Sequence, residues 1–214
     1  MQRAQVRRAL AGIVVSAVLG ALQPPAEAAP SPTTEYARAY RIGLEAYTYG
    51  LPLVTMYRTF RTMTSTDVAQ GAYGPVNAFH HVRGTNTATS GAVVTPGATG
   101  LSSIAWLDLT DGPQVLHVPV VTGHTYVLGF IDPYTTNVVN LGSAMGTAPG
   151  DYVIRDPQHR RVAIPAGMHA LDVDYSRMWI IGSTQLLGAA DLDAVHAIQD
   201  GYTLAALRDV LAGT

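Results

Sequence analysis

Apolar side chains recur at helical spacing in the first third of the chain. The pattern predicts one helix from Thr33 to Tyr49 and a second from Leu53 to Met63. Gly50 and Pro52 separate the two segments, and both residue types are typical of a helix end. The Ser31-Pro32 pair is expected to start the first helix as an N-cap followed by proline at the first helical position.

From about residue 92, short β-rich runs alternate with Gly, Pro, Asn and Asp, which is typical of antiparallel strands and tight turns. Asp132-Pro133 and Asp156-Pro157 are two of the turn dipeptides. The predicted strands are Ala92–Thr95, Ser103–Asp108, Gln114–Val118, Thr125–Ile131, Asn137–Leu141, Tyr152–Arg155, Met168–Val173 and Met178–Gly182.

Helical spacing returns near the C-terminus. Asp191 is expected to cap a helix that ends near Gln199, and residues Leu204 to Leu211 predict a last amphipathic helix. The order of elements predicts an α+β fold, with an antiparallel β-sandwich or curved sheet flanked by N-terminal and C-terminal helices.

The first 28 residues resemble a secretory signal peptide. Arg3, Arg7 and Arg8 give a positively charged start. An apolar run from Leu10 to Leu22 follows, and the tripeptide at 26–28 reads Ala-Glu-Ala. Because that run is shorter than the 20 or so residues that cross a bilayer, we expect cleavage near Ala28 rather than a stable membrane anchor. Residues 29–214 then form a single secreted or extracytoplasmic domain, exported by the general secretory or the twin-arginine route.

Composition excludes several kinds of chemistry. The chain has no cysteine, which excludes a thiol nucleophile, a disulfide, a zinc–thiolate site and an iron–sulfur cluster. It also has no lysine, which excludes a Schiff base and a Walker-type phosphate loop. A net charge of −2 gives no electrostatic basis for binding nucleic acid. No organic cofactor is expected.

The sequence resembles the DUF1254 family, a domain of unknown function in exported bacterial proteins. The resemblance lies in several segments whose order runs through most of the mature chain: residues 45–54, 77–83, 105–109, 112–116, 132–137 and 191–199. In the family this domain usually precedes a second, β-rich domain called DUF1214. Because the chain ends at Thr214, we expect an exposed apolar patch where that domain would dock, which a homodimer would cover.

Five positions depart from the family pattern. Gly97, Thr99 and Ser102 stand where relatives carry Asn, Asp and Tyr, and Ala144 and Ser183 stand where relatives carry Arg. If these groups line one pocket in relatives, the same pocket here is neutral and larger. The resemblance therefore implies a ligand pocket for a neutral or apolar small molecule, formed by Gly97, Thr99, Ser102, Trp106, Asn137, Ala144 and Ser183.

Four polar residues are candidates for catalysis. His81 and Arg83 face the same side of an extended segment. They could act as general base and anion holder, or they could fix a loop by hydrogen bonds. Asp132 and Tyr134 follow a predicted strand, where functional side chains often gather, but Asp132 before a proline equally suits an Asx turn.

No metal site is predicted, because the seven histidines lack a recognised ligand spacing. His117 and His124 could meet across a hairpin, as packing neighbours.

Two functions stay open. One is a cofactor-independent enzyme, an isomerase, cyclase or hydrolase, that acts on a neutral or apolar small molecule. The alternative is a non-catalytic binding or interaction domain that has lost the polar site of its relatives.

Overall fold

The computed structural model describes residues 32–68, 73–84 and 99–213. The chain divides into two compact units, residues 1–47 and 48–214, which are taken separately. The predicted signal peptide, Ser31, Gly97 and the predicted strand Ala92–Thr95 lie outside the described residues. None of the helices in the described ranges combines the length and apolar character needed to cross a membrane.

Three helices and nine strands are described. The helices are α1 (Pro32–Met63), α2 (Leu192–Asp200) and α3 (Leu207–Ala212), and single 3₁₀ turns are formed by Ser143–Met145 and Ala189–Asp191. The strands are β1 (Phe79–His81), β2 (Gly100–Asp108), β3 (Gln114–Val118), β4 (Tyr126–Ile131), β5 (Asn137–Gly142), β6 (Gly150–Arg155), β7 (His169–Asp172), β8 (Arg177–Gln185) and β9 (Thr203–Ala206).

The strands form two sheets. A large sheet has the order β1-β2-β8-β4-β5 and is antiparallel throughout, and a small sheet has the order β7-β6-β3-β9. In the small sheet β6 and β7 run parallel, and the other pairs are antiparallel. The predicted α+β class, with β-strands between N-terminal and C-terminal helices, is confirmed.

The main core lies between the two sheets. Leu107, Phe130 and Ile180 of the large sheet pack with Leu116 and Ile154 of the small sheet, and all five are buried. This core fixes which side of the large sheet faces inward. The opposite side, called the outer face below, carries the candidate site.

Helix α1 continues through Pro52, so the prediction of two helices was wrong. Proline removes a backbone N–H and crowds the carbonyl four residues earlier, at a cost of about 3 kcal/mol. Packing after the proline offsets this cost, because Met56, Phe60 and Met63 recur at helical spacing and pack on Ile104 of the outer face.

One prediction near the C-terminus was wrong. Residues 203–206 are a strand rather than the start of a helix, because β9 pairs with β3 at the edge of the small sheet. Asp191 is the N-cap residue of α2, as predicted, but its side chain makes no capping hydrogen bond. Its carboxylate instead accepts hydrogen bonds from the Leu187 N–H and from His124 Nε2.

Candidate functional site

The register of the large sheet places most of the predicted pocket residues on the outer face. Ser102 lies opposite Ser183, and Trp106 lies opposite Trp179. Directly paired residues point to the same face, so these side chains form successive rows across the sheet. Asn137 lies in the Trp106 row, opposite Ile131 on the edge strand β5.

The upper rows border an open groove of about 730 Å³, here called the serine groove. Its lining residues are Thr99, Thr125, Tyr126, Val127, Ala144, Ser183, Gln185, Leu186 and Leu187. Three predicted pocket residues, Thr99, Ala144 and Ser183, therefore lie together, and all three are exposed. Its described lining carries no charged side chain, and the groove is open to solvent.

The lower rows form a second groove of about 300 Å³, here called the tryptophan groove. It is lined by Leu53, Met56, Tyr57, Phe60, Trp106, Ile131, Asp132, Pro133, Tyr175, Ser176, Arg177 and Trp179. Its volume falls at the lower end of the range for small-molecule sites, and most of its lining is apolar or aromatic. It contains two of the sequence-predicted residues, Trp106 and Asp132.

Aromatic packing fixes the wall of the tryptophan groove. The rings of Trp106 and Trp179 stack with centroids 4.8 Å apart and planes 4° apart. Phe60 of α1 meets Trp106 edge to face at 5.5 Å. Trp106 is only 1% exposed, so helix and sheet hold it from both sides. The indole nitrogens of both tryptophans are buried and have no hydrogen-bond partner among the described residues.

Asp132 organises the turn between β4 and β5. Its Oδ1 accepts hydrogen bonds from the N–H groups of Tyr134 and Thr136, each at 2.8 Å. Thr135 adopts a positive φ of 69° within this turn. The structure thus contains the Asx turn that was one of the two interpretations of Asp132 before a proline.

Tyr134 lies beside this turn, and its hydroxyl donates a hydrogen bond to the hydroxyl of Tyr49. The ring of Tyr134 also lies 6.1 Å from the ring of Tyr175. The hydrogen bond to Tyr49, with smaller contributions from partial burial and nearby acidic groups, raises the pKa of Tyr134 to about 12. Its hydroxyl therefore stays protonated at neutral pH and is a poor general base.

His81 contacts strand β2, and Arg83, just after β1, attaches this segment to helix α2. His81 Nδ1 lies 2.9 Å from Oγ of Ser103, which is fully buried in β2. Arg83 donates a hydrogen bond to the His196 carbonyl and forms an ion pair with Asp200. Because Ser103 has no solvent-exposed surface, the pair of His81 and Ser103 is not arranged as a nucleophile and its base.

The four catalytic candidates lie in two separate places. His81 and Arg83 lie at the β1 edge of the large sheet, whereas Asp132 and Tyr134 follow β4. Two strands separate β1 from β4, so the backbones are about 14 Å apart at a spacing of about 4.8 Å per strand. One small reacting group could not contact all four side chains.

Burial lowers the pKa of His81 to about 4, and the positive charge of Arg83 adds to this shift. The unfolded chain binds this proton at the ordinary pKa of 6.5, so acid favours unfolding between the two values. As the pH falls from 7 to 4, protonation of His81 in the unfolded chain should lower the free energy of unfolding by about 2 kcal/mol. This is less than the full pKa shift implies, because water screens the partly exposed ring.

Urea denaturation at pH 7, 5 and 4 checks this expectation. The His81→Gln variant should lose less stability than the wild type over this range, whereas the surface variant His169→Gln should follow the wild type. Equal acid sensitivity in His81→Gln and wild type would show that His81 is not the responsible group.

Three of the remaining histidines, His117, His124 and His159, form pairs with aspartates. Nδ1 of His117 lies 2.6 Å from Asp151, and Nε2 of His124 lies 2.9 Å from Asp191. His117 and His124 do not meet across a hairpin, because β3 belongs to the small sheet and β4 to the large one. Within the described ranges, no three His, Asp or Glu side chains are grouped to hold a metal ion.

Sequence reasoning missed most of the tryptophan groove. Phe60, Tyr175, Arg177 and Trp179 were not singled out, although each contributes to its wall. One signal was available, because alternation within the predicted strand 178–182 places Trp179 and Ile181 on the same face. Nothing in the local pattern indicated that α1 would cross that face.

Comparisons with known proteins give a family and a fold. A family model described as "Protein of unknown function (DUF1254)" matches residues 76–206. Among solved structures, the chain is similar to the VPA0106 protein from Vibrio parahaemolyticus, with 19% identity and a TM-score of 0.62. The similarity covers 78% of this chain but only 38% of that protein, and at this identity it concerns the fold alone. A comparison with curated proteins finds no match. Because the family model covers more than half of the sequence, the chain belongs to the DUF1254 family, as its sequence motifs predicted.

Proposed function

We propose that this DUF1254 domain binds a neutral, largely apolar small molecule in the tryptophan groove and does so without catalysis. The observation that carries the proposal is a groove of about 300 Å³ whose wall is built from the packed rings of Phe60, Trp106 and Trp179. Concave, mainly apolar sites with a few polar groups at the edge are the usual form of small-molecule sites.

The charges around the groove favour a neutral ligand. Arg177 donates from Nε to Oδ2 of Asp108 at 2.8 Å, so its positive charge is balanced. Asp132 is only 7% exposed, and its carboxylate is engaged in the Asx turn. Because Asp108 balances Arg177 and the Asx turn engages Asp132, neither residue offers an unpaired counter-charge that would offset the desolvation of an ionic ligand.

Binding is favoured over catalysis by the state of the candidate groups. His81 has a pKa far below the range that suits a general base at neutral pH, and Tyr134 has one far above it. Neither group lines the tryptophan groove. Of the two functions left open by the sequence, we therefore propose the binding domain rather than the cofactor-independent enzyme.

We further propose that the domain works outside the cytoplasm. This part of the proposal rests on the sequence alone, through the charged start, the apolar run and the Ala-Glu-Ala site at residues 26–28. N-terminal sequencing of the protein recovered from separated periplasmic or medium and cytoplasmic fractions would test it: a mature start at Ala29 outside the cytoplasm is expected, and an intact Met1 found only in the cytoplasm would contradict it.

The two tryptophans of the chain both lie in the groove wall, so intrinsic tryptophan fluorescence reports on this site alone. We expect the neutral hydrocarbon decalin to change this fluorescence saturably. Cyclohexylammonium, a charged probe, should bind at least about tenfold more weakly, because its charge must lose water in an apolar site.

A matched pair of variants on α1 locates the binding. Leu53 lines the groove, whereas Val54 is 49% exposed and lies outside the lining. Leu53→Arg should weaken decalin binding by about tenfold or more, and Val54→Arg should leave it unchanged. Failure of the wild type to respond saturably to decalin, or equal binding by the two variants, would rule out the proposed site.

A further inference from the structure

The polar edge of the tryptophan groove indicates the class of ligand. We propose that Arg177 binds a carbonyl oxygen, so that the ligand is a neutral, apolar ketone, ester or amide rather than a plain hydrocarbon. This inference rests on the proposed binding function of the groove and adds to it a specific polar contact.

Arg177 is placed to make such a contact. Its guanidinium lies over the ring of Phe60, with Cζ 5.5 Å from the ring centroid, and its side chain is 51% exposed. Its Nε donates to Asp108. The hydrogen bonds found among the described residues leave the terminal nitrogens Nη1 and Nη2 without an acceptor, at the edge of a groove that Arg177 itself lines. A guanidinium presents donors in a fixed plane, which suits an sp² oxygen.

Other donors near the groove are less suitable. The hydroxyl of Ser176 donates to the buried carboxylate of Asp156. The indole N–H groups of Trp106 and Trp179 are buried in the wall and do not face solvent. The hydroxyls of Tyr57 and Tyr175 are neutral donors, and hydrogen bonds from a charged donor are about twice as strong. Arg177 is therefore the strongest donor at this edge.

The same charges distinguish a carbonyl from a carboxylate. Asp108 already balances the charge of Arg177, and the buried Asp132 lines the same groove. A ligand carboxylate at Arg177 would place a second negative charge beside that of Asp108, whereas a carbonyl oxygen accepts the Arg177 hydrogen bond without that repulsion. A neutral carbonyl compound therefore suits the groove best.

Three cyclohexyl probes separate the alternatives. Cyclohexyl methyl ketone and ethylcyclohexane differ only in C=O for CH₂, and cyclohexanecarboxylate supplies the anion. By tryptophan fluorescence titration of the full chain, we expect the ketone to bind about tenfold more tightly than ethylcyclohexane and also more tightly than the carboxylate.

Variants test the role of Arg177 directly. In Arg177→Met the ratio of ketone to hydrocarbon affinity should fall to about 1. Arg160 pairs with Asp174 outside the groove, so Arg160→Met is the matched control and should keep the wild-type ratio. If Arg177→Met does not fold, Arg177→Lys is the substitute, because it keeps the charge without the planar guanidinium. Its ratio of ketone to hydrocarbon affinity should lie between the wild-type value and 1.

Each outcome has a distinct meaning. Equal affinity of the wild type for ketone and hydrocarbon would overturn the role of Arg177 and leave the proposed binding function standing. Tightest binding of the carboxylate would overturn the neutral class. Absence of binding by all three probes would overturn the proposed function together with this inference.

Discussion

Replacing Trp106 by alanine is expected to lower the free energy of unfolding by about 3–5 kcal/mol. The side chain is 1% exposed and packs against Phe60 on one side and Trp179 on the other. Its removal leaves a cavity between α1 and the large sheet, because the helix is held in place by Met56 and Met63 as well. The same change removes one wall of the tryptophan groove, so decalin binding should be lost.

Trp179→Ala is the matched control for this prediction. Trp179 stacks on Trp106 but is only half-buried, so its loss should cost about 1–2 kcal/mol. Urea denaturation followed by far-ultraviolet circular dichroism measures both variants, because this signal does not depend on tryptophan. Equal costs for the two variants would show that Trp106 is not packed as described.

Replacing Asp156 by alanine is expected to cost about 2–4 kcal/mol of stability. Asp156 is fully buried, and its carboxylate accepts hydrogen bonds from the backbone N–H and ring Nδ1 of His159 and from the hydroxyl of Ser176. These donors would be left in the protein without an acceptor. Because Ser176 lies between Tyr175 and Arg177, the loss should also loosen the groove edge and weaken ketone binding.

Asp174→Ala is the control, because Asp174 is 79% exposed and forms a surface ion pair with Arg160. This variant should change the unfolding free energy by less than about 1 kcal/mol. Denaturant unfolding and the ketone titration together check the prediction. An Asp156→Ala protein with wild-type stability and wild-type ketone affinity would remove Asp156 from any positioning role.

The strands of the β-rich region could be predicted because each carries its own local signal. The strand Gln114–Val118 was predicted with its observed bounds, and β4, β5 and β6 were each placed to within two residues. The alternation of apolar and polar residues and the turn residues are local features, so a short stretch of sequence is enough to predict each of these strands.

Elements that depend on distant partners could not be predicted in this way. The apolar residues of β9 also suit a helix, and the segment is a strand because it pairs with β3. Pro52 by itself predicts the end of a helix. The helix nevertheless continues, because the packing of Met56 and Phe60 on the sheet offsets the cost of the proline. Tertiary contacts override local propensity at both places.

The candidate site shows the same division. Family resemblance pointed to Trp106, and the Asp132-Pro133 dipeptide pointed to a turn, so one wall residue and one edge residue were found. Phe60, Tyr175, Arg177 and Trp179 come from α1 and β8 with its preceding turn, which are distant in sequence and meet only after folding. The predicted pocket residues Ser102 and Ser183 are paired on the same sheet face, but Ser183 lines the open serine groove instead.

A crystal structure of the protein with cyclohexyl methyl ketone tests the central claim most directly. The account predicts density for the probe in the tryptophan groove, with its ring against the aromatic wall and its carbonyl oxygen within hydrogen-bonding distance of Arg177. Density for the probe only in the serine groove, or an unoccupied tryptophan groove at saturating probe, would contradict it.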